Sequence, residues 1–134
     1  ANTSSGSITP ITEYPIELRL AEQYLIRAEA RAQLGNLDGA AADLNVIRAR
    51  ASLPAATTAS KDAALSAIAH ERQVELFTEW GHRWFDLKRT GKIDAVMSIV
   101  TPQKGGTWNT NKQLVPIPVS EILINHNLTQ NPGY

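Results

Sequence analysis

The segment from Glu71 to Arg89, ERQVELFTEWGHRWFDLKR, places aromatic side chains among closely spaced ionisable groups. Glu71, Glu75 and Glu79 recur at every fourth position, so a helix would carry the three carboxylates on one face, where like charges repel mildly. Carboxylates at this density occur in metal sites, in acid–base catalysis and in structural ion-pair networks. These three interpretations of the segment therefore have to be compared.

The metal interpretation depends on Glu79 and His82, which have the Glu-x-x-His spacing of di-iron carboxylate bundles. Such a site needs two of these motifs together with two further glutamates from facing helices. The other histidines, His70 and His126, have no glutamate three residues before them. The ligand set is therefore too small, and the sequence predicts no metal site.

Catalysis is disfavoured by the arrangement of the acidic residues. Glycoside hydrolysis requires two carboxylates across a cleft, whereas glutamates along one helix face all point in the same direction. The sequence has no Gly-x-Ser-x-Gly elbow, no Walker motif and no Gly-rich phosphate loop, and it contains no cysteine. We therefore expect no enzymatic activity, no catalytic residue and no cofactor.

The remaining interpretation is a structural ion-pair network. The glutamates share the inward stripe of a helix with Ile68 and Leu76, so charged groups interrupt an apolar face. Arginine supplies several planar donors for such carboxylates, and a network of this kind orients helices more than it stabilises them. Trp80, Trp84 and Phe85 are then interpreted as packing residues. The predicted members of the network are Glu71, Arg72, Glu75, Glu79, Arg83, Asp86 and Arg89.

Composition limits the class of protein. The chain has 134 residues, of which 43% are hydrophobic and 19% are charged, as expected for one globular domain with a modest core. Its 13 basic residues balance 13 acidic ones, so we expect no nucleic acid partner. The apolar runs are too short to span a membrane, and the start of the chain has no signal-peptide pattern. Residues 1–15 are interpreted as a linker or truncated N-terminal segment and residues 16–134 as a helical domain.

The first elements of that domain are two helices. Apolar residues three and four apart predict one helix over residues 16–34 and a second that is capped by Asp38 and closed by Pro54. The short turn between them, at Gly35 and Asn36, makes the helices antiparallel neighbours. The predicted inward stripes are Leu18, Ala21, Leu25, Ala28 and Ala32 on the first helix and Ala40, Leu44, Ile47 and Ala51 on the second.

This hairpin matches a tetratricopeptide repeat, in which small residues let two helix backbones approach closely. The match departs in two ways, because Pro54 falls two residues late and Arg31 stands where the repeat has an aromatic residue. The residues that follow the repeat spacing are Ala28, Gly35, Ala40, Leu44 and Ile47. A lone repeat cannot bury both of its faces. We therefore expect the isolated chain to self-associate, with Ile16, Leu20, Tyr24 and Leu37 as candidate contacts.

The rest of the chain predicts further helices and then an irregular end. A third helix is capped by Ser60 and runs to about Trp80, Gly81 ends or bends it, and a fourth reaches Gly91. The segment KIDAVMSIV predicts a shorter helix. LVPIPVSEI is expected to be extended, with prolines that block a central strand, and to end in a turn capped by Ser120. The predicted fold is all-α: tetratricopeptide-like hairpins, as in a fragment of an α-α superhelix, followed by an irregular C-terminal tail.

Five segments of the chain resemble the C-terminal part of the SusD/RagB family. They are LRLAEQYLIRAEARAQLG, NVIRARA, ERQVELFTEWGHRWFDLKRTG, LVPIP and the terminal NLTQNPGY, which occur in the family's order between about Tyr14 and Tyr134. The resemblance implies a cell-surface, outer-membrane lipoprotein of Bacteroidetes-type bacteria that captures glycans or other nutrients without catalysis. It also implies a partner, a TonB-dependent SusC-like transporter that receives the nutrient. Family members are several times longer, so no family ligand residue is carried over onto this chain.

One loop, GGTWNTNKQ, combines an aromatic side chain with amides. Trp108 could stack on the face of a sugar ring while Asn109 and Asn111 bond its hydroxyl groups, so these three are the candidate ligand-binding residues. The other interpretation is that Trp108 packs against the helices and anchors the loop, since tryptophan is usually well buried. The leading functional hypothesis is a SusD-like glycan- and nutrient-binding protein. The alternative is a helical-repeat scaffold for protein–protein interaction.

Overall fold

The computed structural model describes residues 18–134, and the predicted linker over residues 1–15, with Ile16, lies outside that range. The described residues form six α-helices and one 3-10 helix, and no strand occurs among them, so the predicted all-α class is confirmed. The elements are α1 (Leu20–Gln33), α2 (Leu37–Arg50), α3 (Lys61–Glu75), α4 (His82–Arg89), α5 (Ile93–Gln103), the 3-10 helix (Thr110–Gln113) and α6 (Val119–Ile124). The chain divides into two compact units, Ala1–Ile68 and Ala69–Tyr134, with the boundary inside α3.

The first unit is built on the hairpin of α1 and α2. Arg31 donates to the carbonyl oxygen of Gly39 at 3.1 Å and Arg27 to the carboxylate of Asp43 at 2.7 Å, so residue numbers rise on one helix as they fall on the other. The helices are therefore antiparallel, as predicted. The core consists of Ala21, Leu25, Ala28, Ala32, Ala40, Leu44, Ile47, Ala64 and Ile68. Alanine at the crossing points lets the backbones approach closely, and the leucine and isoleucine side chains fill the remaining space.

The inward stripes were correct within the helices and wrong at two ends. Leu18 lies before the first residue of α1 and is exposed, and Ala51 lies after the last residue of α2 and is exposed. Helical periodicity orients a side chain only where the backbone is helical. The stripe therefore does not extend beyond α1 or α2.

The N-terminal cap of α2 is Asn36, so the prediction that Asp38 caps this helix is wrong. The backbone N–H of Gly39 donates to Asn36 Oδ1 at 2.9 Å, while Asp38 lies in the first turn. Gly35, with φ of 81°, reverses the chain and brings the Asn36 side chain over the free N–H groups of the helix. At α3 the predicted cap is confirmed, because Ala63 N–H donates to Ser60 Oγ at 3.2 Å.

The third helix ends at Glu75 instead of continuing to Trp80. Left-handed backbone angles at Thr78 (φ 64°), Trp80 (φ 41°) and Gly81 (φ 72°) carry the chain into α4. Trp80 is 60% exposed and Phe85 is 62% exposed, so their interpretation as packing residues is wrong. These turns replace helical geometry before Trp80, and the residue is therefore no longer held on the inward stripe of α3.

The C-terminal tail pairs with the LVPIP segment through side chains. Ile117 N–H donates to Gln130 Oε1 at 2.8 Å, and Gln130 Nε2 donates back to the Ile117 carbonyl oxygen at 2.9 Å. Ile117 stands between Pro116 and Pro118, which have no N–H group, so a regular ladder cannot form there. The Gln130 amide supplies the pair of bonds that a neighbouring strand would make. The predicted cap of the following turn was wrong, because Pro118 and not Ser120 precedes α6.

Candidate functional site

The candidate ligand-binding loop, residues 105–113, follows α5 in the second unit and ends in the 3-10 helix. Trp108 Nε1 donates to Asp94 Oδ1 at 2.8 Å, and Gln113 Nε2 donates to Asp94 Oδ2 at 2.8 Å. The Trp84 ring meets the Trp108 ring edge to face, with centroids 6.1 Å apart and planes at 78°. Trp108 is half-buried. One hydrogen bond and one aromatic contact therefore hold the orientation of the indole.

Two amide side chains follow this indole in the sequence. Asn109 and Asn111 are both exposed, and the carbonyl oxygen of Asn109 accepts a hydrogen bond from Lys112 N–H at 3.0 Å. Gly133 packs on Asn111 so closely that an added Cβ would stand 2.9 Å from Asn111 Nδ2, and its φ of 90° also favours glycine. The C-terminal tail therefore contacts one of the candidate ligand-binding side chains.

The geometry limits the chemistry of this loop. The only donor of the Trp108 side chain is bonded to Asp94, so the indole can offer a ligand its ring surface and edge. The exposed amides of Asn109 and Asn111 each provide donors and an acceptor. Stacking on a ring and hydrogen bonds to hydroxyl groups are the interactions that a sugar requires. The arrangement is suited to binding a sugar.

Sequence reasoning did not include Asp94, Gln113 or Trp84 in this site. Each comes from a different element, and a contact between elements leaves no local spacing to read. The acidic residue at the start of the predicted helix KIDAVMSIV suggested only a favourable position for a negative charge. The contacts to Asp94 and Trp84 are those expected if Trp108 anchors the loop, and the same contacts also orient the ring for a ligand.

In the charged segment from Glu71 to Arg89, the carboxylate of Asp86 pairs with two arginines. Arg72 Nε donates to Asp86 Oδ2 at 2.7 Å, and Arg89 Nε donates to Asp86 Oδ1 at 2.8 Å. Glu71 and Arg72 are buried. Glu75, Glu79 and Arg83 are half-buried, and Arg83 takes no part in the two pairs with Asp86. In residues 18–134, no three His, Asp or Glu side chains are grouped so that they could hold a metal ion.

An open groove of about 490 Å³ lies along α1 in the first unit. It is lined by Leu20, Gln23, Tyr24, Ile26 and Arg27. The Arg27 guanidinium carbon stands 5.3 Å from the centroid of the Tyr24 ring, which gives the groove a cation–π edge. Of the predicted self-association contacts, Leu20 is exposed, whereas Tyr24 and Leu37 pack partly against the core. Ile16 lies outside the described residues.

The comparisons with known proteins identify the family. The model of the SusD family matches residues 2–134. This chain belongs to the SusD family. The starch-binding protein SusD of Bacteroides thetaiotaomicron is 35% identical over 97% of the chain, and a SusD-like protein of Formosa agariphila is 34% identical over 89% of it. The predicted resemblance is confirmed.

Solved structures give the same result. A SusD superfamily protein from Bacteroides vulgatus has a TM-score of 0.75 and 31% identity over 87% of this chain, which is 27% of the solved chain. A SusD-like protein from Bacteroides fragilis has a TM-score of 0.69 and 31% identity over 87% of the chain. This SusD family chain spans about a quarter of its curated relatives, 23% and 24% of their lengths. Within residues 18–134, every helix is too short or too polar to cross a membrane.

Proposed function

We propose that the chain is part of a non-catalytic glycan- and nutrient-binding component of an outer-membrane uptake system. The component would be anchored at the cell surface as a lipoprotein and would work with a TonB-dependent SusC-like transporter. The observation that carries this proposal is the SusD family match over residues 2–134, together with 35% identity to a protein named for starch binding. The half-buried, oriented indole at Trp108 supports binding as the activity, because stacking and hydrogen bonding bind a sugar without altering it.

Within this function, Trp108, Asn109 and Asn111 are the proposed glycan contacts. Aromatic rings stack on the apolar faces of sugars, and a ring that is already held in place loses little freedom when a ligand binds. Exposed amides on the same loop can bond the hydroxyl groups that surround those faces. A starch-type α-glucan is the first ligand to test, because the named relative binds starch.

We expect Trp108→Ala to weaken binding of maltoheptaose to the purified chain by roughly tenfold, since an aromatic contact at the centre of a site dominates its affinity. Isothermal titration calorimetry would measure this, and a panel of xylan, mannan and starch oligosaccharides would test other glycans. Trp80→Ala is the matched control, because Trp80 is an exposed tryptophan outside the loop. Equal affinities for the Trp108→Ala variant and the unaltered chain across the panel would contradict the site.

A protein–protein scaffold is the second candidate, and the exposed apolar side chains of α1 support it. Leu20 and Ile26 line the open groove on this helix, and both are exposed. Covering these two side chains with a partner would remove apolar surface from water, which favours association. The occupant we propose is a second copy of the chain.

Sedimentation velocity tests this self-association directly. We expect dimers or larger species at high micromolar concentration, and we expect Ile26→Glu to shift them towards monomer because a charge would be placed in the interface. Val46→Glu is the matched control, since Val46 on α2 is 46% exposed and Ile26 is 47% exposed. If the unaltered chain remains monomeric at that concentration, α1 does not form an interface between copies.

A further inference from the structure

The carboxylate of Asp94 connects the indole of Trp108 to Gln113, the last residue of the candidate loop. Its Oδ1 atom accepts from Trp108 at 2.8 Å, and its Oδ2 atom accepts from Gln113 at 2.8 Å. Asp94 is the second residue of α5, and the preceding residue, Ile93, is buried. The position of the carboxylate is therefore set by a helix with a buried side chain at its first residue. Gln113 is held by the 3-10 helix that it ends.

We infer that Asp94 is the positioning residue for glycan binding at Trp108. This inference rests on the proposed glycan function of the loop. The indole has one donor, and rotation of the ring about its side-chain bonds would break the hydrogen bond to Asp94. A hydrogen bond to a charged acceptor is stronger than one between neutral groups, so it fixes one ring orientation. The bond from Gln113 limits the movement of the carboxylate itself, and the ring is presented to a ligand already oriented.

Three substitutions distinguish the role of Asp94 as a hydrogen-bond acceptor from the effect of its negative charge. Asp94→Leu keeps the approximate size of the side chain and removes both acceptor oxygens. Asp94→Asn removes the charge, but its oxygen can accept from Trp108 while its amide nitrogen donates to Gln113 Oε1 after that amide rotates. Gln113→Leu removes one bond and keeps the bond to Trp108. If Asp94 acts only as a favourable charge at the start of α5, Asp94→Leu and Asp94→Asn should behave alike.

Two measurements report the outcome. Exciton-coupled circular dichroism of Trp84 and Trp108 depends on the angle between their rings, and isothermal titration with maltoheptaose reports affinity. We expect Asp94→Leu to lose the coupled signal and to bind roughly tenfold more weakly. We expect Asp94→Asn to keep the signal and to bind within about threefold of the unaltered chain, and Gln113→Leu to lie between them. Asp62→Leu is the matched control, because Asp62 is also the second residue of its helix, α3.

Each result has a separate meaning. An unchanged coupled signal in Asp94→Leu would overturn the positioning role, whatever the affinity. Loss of the signal with unchanged maltoheptaose affinity would overturn it for glycan binding, and Trp108→Ala would then show whether the loop binds glycan at all. Equal losses in Asp94→Leu and Asp94→Asn would assign the effect to charge. If Asp94→Leu proves to be unfolded by far-ultraviolet circular dichroism, Gln113→Leu decides the question, because it releases the carboxylate on one side and keeps the bond to Trp108. A coupled signal and an affinity equal to those of the unaltered chain would then overturn the positioning role.

Discussion

Replacing Leu44 with alanine is expected to lower the free energy of unfolding by about 3 kcal/mol, within the range of large-to-small changes at fully buried sites. Leu44 is 0% exposed, in the core formed by α1, α2 and α3. Several other members of this core are alanines, including Ala28, Ala32 and Ala40. Alanine side chains cannot extend into the space that the lost atoms leave. The cavity should therefore persist, and the loss of stability should include the full free-energy cost of that cavity.

Urea denaturation followed by circular dichroism would measure this change. Val46→Ala is the matched control, because Val46 lies two residues further along α2 and is 46% exposed. The control is expected to stay within about 0.5 kcal/mol of the unaltered chain, as most exposed substitutions do. A similarly small effect for Leu44→Ala would mean that the hairpin core collapses around the missing side chain.

The largest effect from a polar residue is expected at Asp43. Its side chain is 4% exposed and accepts three hydrogen bonds, from Arg27 Nε at 2.9 Å, from Arg27 Nη2 at 2.7 Å and from Arg31 Nη1 at 2.8 Å. Removing one partner of a buried pair costs 3–5 kcal/mol when the other charge stays buried. Here the Arg27 side chain is 55% exposed and regains water, so the expected loss for Asp43→Ala is smaller, about 2 kcal/mol.

The same contacts make this contribution depend on pH. Hydrogen bonds from Arg27 and the charges of Arg27 and Arg31 lower the pKa of Asp43 below its ordinary value, although burial alone would raise it. The unfolded carboxyl group titrates at about 3.9. Because the folded pKa is the lower of the two, the carboxylate stabilises the fold above the unfolded pKa. This stabilisation is lost as the pH falls through the folded pKa.

The difference in stability between the unaltered chain and Asp43→Asn should therefore be constant from about pH 6 to 8 and shrink below about pH 4. Urea denaturation at a series of pH values would measure this. Asp38→Asn is the control on the same helix, since Asp38 is exposed in the first turn of α2. A difference that persists unchanged at pH 3 would mean that Asp43 is favoured over asparagine by the two acceptor oxygens it offers to Arg27 and Arg31 and not by its charge.

Elements with a regular period could be predicted from the sequence alone. The α1–α2 hairpin follows from apolar spacing, from small residues such as Ala28 and Ala40 at the crossing, and from the turn at Gly35. These signals are local, since helical periodicity and the left-handed preference of glycine act within a few residues. The departure from the repeat at Arg31 is explained by a contact between the two helices. Arg31 stands where an aromatic residue was expected, and the structure pairs it with Asp43, one helix away.

Features that depend on a contact between elements required the tertiary structure. The end of α3 at Glu75, the exposure of Trp80 and the bond between Trp108 and Asp94 are set by backbone turns and by side chains distant in sequence. In the tail, the Gln130 amide makes the hydrogen bonds that a neighbouring strand would otherwise make, because this side chain lies opposite the N–H of Ile117. The residue types in each case were visible in the sequence. The sequence did not show which donor bonds to which acceptor. Those pairings depend on tertiary packing, and no short-range sequence pattern encodes that packing.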